Sequence, residues 1–191
     1  MNDNKLIELQ ELVFETFRDR GFNDLPIEED FVQKNQMLII TEICEAYESH
    51  RKGERFTYFE DGKPEGEGYE LADAVIRILN FDKQLQTFDS EGCLDLDRVN
   101  NTREVVMRTI SRNGYPSDNF PTRYGESYRD DSINRMYHFM VARSIDGLNN
   151  LKAFIFEVDR YCKFKGYDLE EMIRVKNEYN RKRERLHGKR F

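Results

Sequence analysis

Glu70-Leu71-Ala72-Asp73-Ala74-Val75-Ile76-Arg77-Ile78-Leu79 is the stretch that decides the fold. It opens with two carboxylates three residues apart and continues as an apolar run of helical length. Upstream, Glu42-Ile43-Cys44-Glu45 repeats the spacing behind Leu38, Ile39 and Ile40. At 3.6 residues per turn, each pair of acids lies on one helix face, one turn apart. Such like-charged pairs repel by about 0.2–0.5 kcal/mol on a bare helix. If the two helices pack together, four carboxylates converge at the edge of an apolar core. Desolvating them is costly unless a cation compensates. An all-oxygen cluster suits a hard ion, Mg²⁺ or Mn²⁺. With 37 acidic residues in 191, one such pair arises readily on a solvated face. Two pairs, each beside a strong apolar stripe, point to a metal site.

Composition narrows the class. A length of 191 residues fits one domain, or one domain carrying a large insertion. Charged residues make up 35%, yet there are 14 Phe and 10 Tyr, which places the chain among globular rather than disordered sequences. The net charge of −7 argues against nonspecific nucleic-acid binding by the surface as a whole. Three cysteines (Cys44, Cys93 and Cys162) lack CxxC spacing and suggest neither a disulfide framework nor a zinc site. The N-terminus is polar and no apolar run reaches membrane-spanning length. The expected location is the cytoplasm.

Outward from the acidic stretches, six segments read as helix. Asn4 to Arg20 carries Leu6, Leu9, Val13 and Phe17 at core-facing spacing. Pro26, followed by Glu28, Glu29 and Asp30, reads as a helix start. Phe31 to Lys52 places Met37, Ile40, Cys44 and Tyr47 on one stripe, with Glu42 and Glu45 beside it, and Gly53 ends it. Glu54 to Gly68 reads as a loop, either a plain connector or a flap over the site. Tyr69 to about Gln86 is the third helix, with Leu71, Val75, Ile78, Leu79 and Leu85 as its apolar face. Val99 to Ile110 suggests a short helix and Arg112 to Asp131 a long loop. Ser132 to Lys165 is apolar at helical spacing with a break at Gly147; His138 within it reads as a packed core histidine. The last helix is capped by Asp168 and runs to about Arg185. Beyond it the tail is basic, six Lys or Arg against one Glu from Arg181 to Arg190. Lys176, Arg181 and Arg183 are candidates to face the carboxylates, because a polyphosphate–metal ligand needs both signs of charge around it.

Other chemistries find no support. Neither GxxxxGK[ST] nor GxGxxG occurs, and no Ser–His–Asp or Cys–His arrangement stands out. The three histidines lack zinc-ligand spacing, and Glu184-x-x-His187 is a lone ExxH where a di-iron bundle uses two.

The residues resemble the MazG-like all-alpha nucleoside triphosphate pyrophosphohydrolases, whose signature is ExxE, a variable spacer, then ExxD. Here these are Glu42-x-x-Glu45 and Glu70-x-x-Asp73, separated by 24 residues. Asp61-Gly62-Lys63-Pro64-Glu65-Gly66 resembles a bacterial and phage branch of that family. So do Gly166-Tyr167-Asp168-Leu169-Glu170-Glu171, Tyr179-Asn180-x-x-Arg183 and His187-Gly188-Lys189-Arg190-Phe191. The resemblance covers about residues 4–85 and 160–191. It implies an all-α bundle, a single domain over 1–191, that forms a homodimer or homotetramer. It implies hydrolysis of a (deoxy)nucleoside triphosphate to the monophosphate and pyrophosphate. Glu42, Glu45, Glu70 and Asp73 would be both the metal ligands and the catalytic set, holding Mg²⁺, with Mn²⁺ as a substitute. Glu45 is the candidate to activate water. Lys176, Asn180 and Arg183 would contact phosphates or nucleotide. Asn80, two turns after Asp73, belongs with that substrate-side group.

Two departures from the family pattern stand out. Residues of about 84–159 intervene where the family has a short turn, and read as a mostly helical insertion. Asn80 stands where this branch often has Asp. Two alternatives follow: a pyrimidine-specific hydrolase of the dUTPase type, or a non-catalytic relative that binds nucleotide or a protein partner through the insertion. Phe14, Phe17, Tyr47 and Tyr69 are the aromatics available to stack on a base.

Overall fold

Helix α3, Glu67–Ser90, is the axis around which the rest packs. The computed structural model of the chain describes residues 3–24, 30–90, 137, 141 and 151–185. Their order is α1 (Asp3–Asp19), α2 (Phe31–Lys52), β1 (Tyr58–Glu60), β2 (Lys63–Glu65), α3, α4 (Leu151–Phe164) and α5 (Leu169–Lys182). Helix α3 packs against α1, α2, α4 and α5. Its sequence explains why: Leu71, Ala72, Ala74, Val75, Ile76, Ile78, Leu79 and Phe81 are all buried. A helix with buried apolar residues over more than half of its circumference belongs in the middle of a core. The surrounding helices each contribute a narrower stripe: Leu9 and Val13 from α1, Phe154, Ile155, Val158 and Tyr161 from α4, Leu169, Met172 and Ile173 from α5. No helix among the described residues is long and apolar enough to cross a membrane.

The all-α expectation holds in its coarse form, since the described residues are mostly helical. Three local expectations need correction. First, the segment from Glu54 to Gly68 is not all loop. Tyr58–Glu60 and Lys63–Glu65 pair antiparallel, with Tyr58 opposite Glu65 and Glu60 opposite Lys63. The turn residues Asp61 and Gly62 both have positive φ, as a tight two-residue hairpin requires. Second, α3 starts two residues before Tyr69 and extends to Ser90. Its start follows Gly66, whose φ is +103° and whose missing Cβ would lie 2.5 Å from the Arg55 carbonyl oxygen. Third, the stripe Met37, Ile40, Cys44, Tyr47 is not the core face of α2. The buried positions are Ile39, Glu42, Ile43, Ala46 and Ser49, whereas Met37 is 59% exposed. Polar Glu42 and Ser49 on the inner face make a count of apolar residues favour the neighbouring stripe.

The ends of the helices follow their local sequence. Gly53 closes α2 in the left-handed conformation, and Asp168 caps α5 by accepting from the Glu170 backbone N–H at 2.9 Å. Helix α5 ends at Lys182, short of Arg185. The expected helix start at Pro26, the short helix at 99–110, the loop at 112–131, His138 and the tail from 186 lie outside the described residues. So does most of the 84–159 segment.

Candidate functional site

Helices α2 and α3 run side by side, and this pairing brings the two acidic motifs together. Glu42, Glu45 and Glu70 each offer a carboxylate oxygen, all within 4.8 Å of one another. Glu42 and Glu70 are buried; Glu45 is exposed and has no partner among the described residues. They line a cavity of about 180 Å³. Asp73, Lys176, Asn180 and Arg183 line it as well, together with Lys63, Arg77, Phe17, Phe22, Ile76 and Tyr179.

The charges in this cavity are ordered. Lys176, on α5 and 2% exposed, reaches across to α3. Its Nζ lies 2.9 Å from Asp73 Oδ2 and 3.3 Å from Glu70 Oε1, and donates to the Pro64 carbonyl at 3.0 Å. That last bond ties the hairpin to the site. Asn180, one turn further along α5, donates to Asp73 Oδ1 at 3.4 Å. Asp73 is therefore held by α5, while the other three acids converge. Arg77, one turn after Asp73, places its Nε 2.6 Å from Glu42 Oε1. Lys63, from the hairpin, pairs with Glu65 at the cavity edge.

Burial raises the Glu70 carboxyl to about 8, with Lys176 opposing the rise and Asp73, Glu42 and Glu45 adding to it. Burial also raises Glu42, against the pull of Arg77. For Lys176 burial acts downward, but Asp73 and Glu70 outweigh it and keep the ammonium above its ordinary value. Two cations of the chain thus partly offset the resistance to ionisation that burial gives these acids. The donor set fits a hard divalent ion: three carboxylates on two rigid helices, one of them unpaired, all of them oxygen donors. The fourth expected ligand, Asp73, is engaged by Lys176 and Asn180.

Seven of the eight residues picked from the sequence line the cavity: Glu42, Glu45, Glu70, Asp73, Lys176, Asn180 and Arg183. Asn80 does not. It is 4% exposed, donates to Gln84 Oε1 at 3.1 Å and accepts from Asn23 at 3.2 Å. Two turns of helical rise, about 10 Å, carry it past the cavity into a patch of amides with Asn23 and Gln84. Arg181 is exposed and is not among the lining residues. Of the aromatics considered, Phe17 lines the cavity; Tyr47 packs on Tyr137 and Tyr69 against Phe59. Arg77, Lys63, Phe22 and Tyr179 were not singled out from the sequence. Arg77 carried a readable signal, one turn after Asp73 on an otherwise apolar helix.

A second buried polar cluster lies outside the cavity. Glu67, 3% exposed and one turn before Glu70, accepts from Tyr161 Oη at 2.6 Å and from Tyr137 Oη at 2.7 Å. His50 Nδ1 is 3.1 Å from its other oxygen.

Comparison of the chain with protein-family models, with curated proteins and with solved structures gave no match.

Proposed function

We propose that this chain is a Mg²⁺-dependent nucleoside triphosphate pyrophosphohydrolase of the MazG-like all-α type. The observation that carries the reading is the convergence of three carboxylate oxygens from two helices at the wall of a cavity shared with Lys63, Arg77, Lys176 and Arg183. Acids alone would bind a cation; acids facing a row of cations suit a metal–polyphosphate ligand. Glu42, Glu45 and Glu70 would hold Mg²⁺, or Mn²⁺ in its place. The ion supplies neutralisation of phosphate charge and alignment of the displaced group.

The rest is the work of the chain. Lys176 holds Asp73 in place and keeps positive charge inside the cavity. The Arg183 guanidinium is half-buried and has no partner among the described residues, so it is available to a phosphate oxygen. Glu45, exposed and unpaired, is placed to accept a proton from water. Phe17, Phe22 and Tyr179 offer flat apolar surface to a base.

The test is pyrophosphate release from a panel of canonical and modified (d)NTPs with Mg²⁺, with Mn²⁺ and with a chelator. Metal-dependent release that disappears in Glu42→Ala and Glu45→Ala, both still folded, is the expected result. Turnover that persists in both variants would overturn the assignment. The same panel names the base and sugar preference.

A further inference from the structure

Helix α5 stops at Lys182, and at Arg183 the backbone turns extended at φ −73° and ψ 161°. The last carbonyls of a helix have no partner within it. One of them is met from another element: Arg20 Nη1 donates to the Arg183 carbonyl at 2.9 Å. Arg20 belongs to the turn that ends α1. In that turn Gly21 N–H bonds the Arg18 carbonyl and Phe22 N–H bonds the Phe17 carbonyl, each at 2.9 Å. A second contact runs the other way. Arg185, two residues past the helix end, pairs with Asp24 at 3.2 Å.

Gly21 lets the two strands of this crossing touch. Its φ is +81°, and a Cβ there would lie 2.5 Å from Arg185 Nε and 2.9 Å from Cζ. The guanidinium of Arg185 thus lies flat on a backbone with no side chain. The crossing also bears on the cavity: Arg183 and Phe22 are both in its lining, and the Phe22 ring packs on Phe17, 5.4 Å between centroids.

We propose that Arg20, with the Asp24–Arg185 pair, is a clasp that positions the Arg183 guanidinium for a polyphosphate ligand. The proposal rests on the reading of the site given above. The physical reason is geometric. A guanidinium recognises phosphate through a fixed fork of donors, so its backbone anchor sets how well that fork is aimed. Here the anchor is the first residue after a helix, at the position most prone to fray. Arg20 holds it by its carbonyl, and Asp24 holds the following turn. A helix cap with no further role would stabilise the end of α5 and leave ligand affinity unchanged.

The experiment is a double-mutant cycle over Arg20→Ala and Arg183→Ala, read as KM and kcat for the best nucleotide and as affinity for inorganic tripolyphosphate with Mg²⁺. Arg20→Ala is expected to raise KM and to weaken tripolyphosphate binding by about fivefold, the size of one ordinary hydrogen bond, with kcat within about twofold. Once Arg183 is gone, removing Arg20 should have little further effect, because the two act as one unit. Additive losses, or an unchanged KM in Arg20→Ala, would overturn the clasp. A wild-type protein that neither hydrolyses nucleotides nor binds tripolyphosphate would overturn the clasp and the functional reading together. The exposed pair gives a second route that spares folding. Asp24→Arg and Arg185→Asp should each weaken tripolyphosphate binding, and the two together should restore it. No rescue by the swap would count against the proposal.

Discussion

Lys176 Nζ lies 2.9 Å from Asp73 Oδ2, an ion pair between residues 103 positions apart in sequence, its lysine 3% exposed and its aspartate, on the cavity wall, 18% exposed. Removing one partner of a buried pair leaves the other charged and unsolvated, at a cost of about 3–5 kcal/mol. Asp73 keeps some contact with water, so Lys176→Met should lower the stability of the metal-free protein by less than that, about 1–3 kcal/mol. Added Mg²⁺ should recover part of it, since the ion brings positive charge back to the same acids. Urea unfolding with and without Mg²⁺ measures both. An unchanged midpoint would mean that the pair does not form in solution.

Arg77 and a metal ion compete for the same carboxylate, because the guanidinium lies 2.6 Å from Glu42. Arg77→Met should strengthen Mn²⁺ binding in the absence of nucleotide, by about three- to tenfold if the pair is worth near 1 kcal/mol. It should also reduce turnover, since the cavity loses one of its cations. Electron paramagnetic resonance titration with Mn²⁺ reads the first effect and pyrophosphate release the second. Weaker Mn²⁺ binding would show that Arg77 supports the ligand set instead of opposing it.

The Glu70 carboxyl, raised to about 8 in the folded protein, predicts a direction with pH. Below its ordinary value of 4.5 it is protonated whether the chain is folded or not, and it makes no difference to stability. Between 4.5 and about 8 the unfolded chain gives up that proton while the folded one keeps it. The stability of the metal-free protein should then fall as pH rises through this window. Metal affinity should rise over the same window, as the proton leaves. Melting temperatures from pH 5 to pH 8.5, with chelator, should slope downward in the wild type. In Glu70→Gln the slope should flatten.

Glu67 tests a different link, since its two tyrosine donors lie outside the cavity. Tyr161→Phe removes one donor from a buried carboxylate and should destabilise the fold by about 1–3 kcal/mol. KM for nucleotide should stay within about twofold, because no cavity-lining side chain is lost. Thermal unfolding and steady-state kinetics on one variant separate the two. A large rise in KM would place Glu67 among the residues that shape the cavity.

What could be read from the sequence, and what could not, follows from the range of the interactions. Helix spans came from local patterns: Phe31–Lys52 matches its expected bounds, closed by Gly53. The acidic motifs were legible because each fits within one helical turn and stands beside an apolar run. The pairing of Lys176 with Asp73, or of Arg77 with Glu42, depends on how helices cross, and no local pattern records that. The inner face of α2 was misplaced for a related reason. Glu42 and Ser49 are buried there with polar partners, and a hydrophobic count treats both as outward. Asn80 was assigned by helical phase alone, which ignores the amides of Asn23 and Gln84 that claim it. The hairpin was hidden in a stretch dense with turn residues, too short for a visible alternation.

Tyr137 lies in the chain between α3 and α4, and its hydroxyl serves a carboxylate one turn from Glu70. A connecting segment that touched only its own residues could be cut out and the ends rejoined. This one lends a donor to the core, and excising it would remove one of the three side-chain partners of a buried carboxylate. The segment is thus not a detachable module. A shortened version of the chain would need Glu67 replaced by a neutral or apolar residue at the same time, so the two changes are tied together in any design.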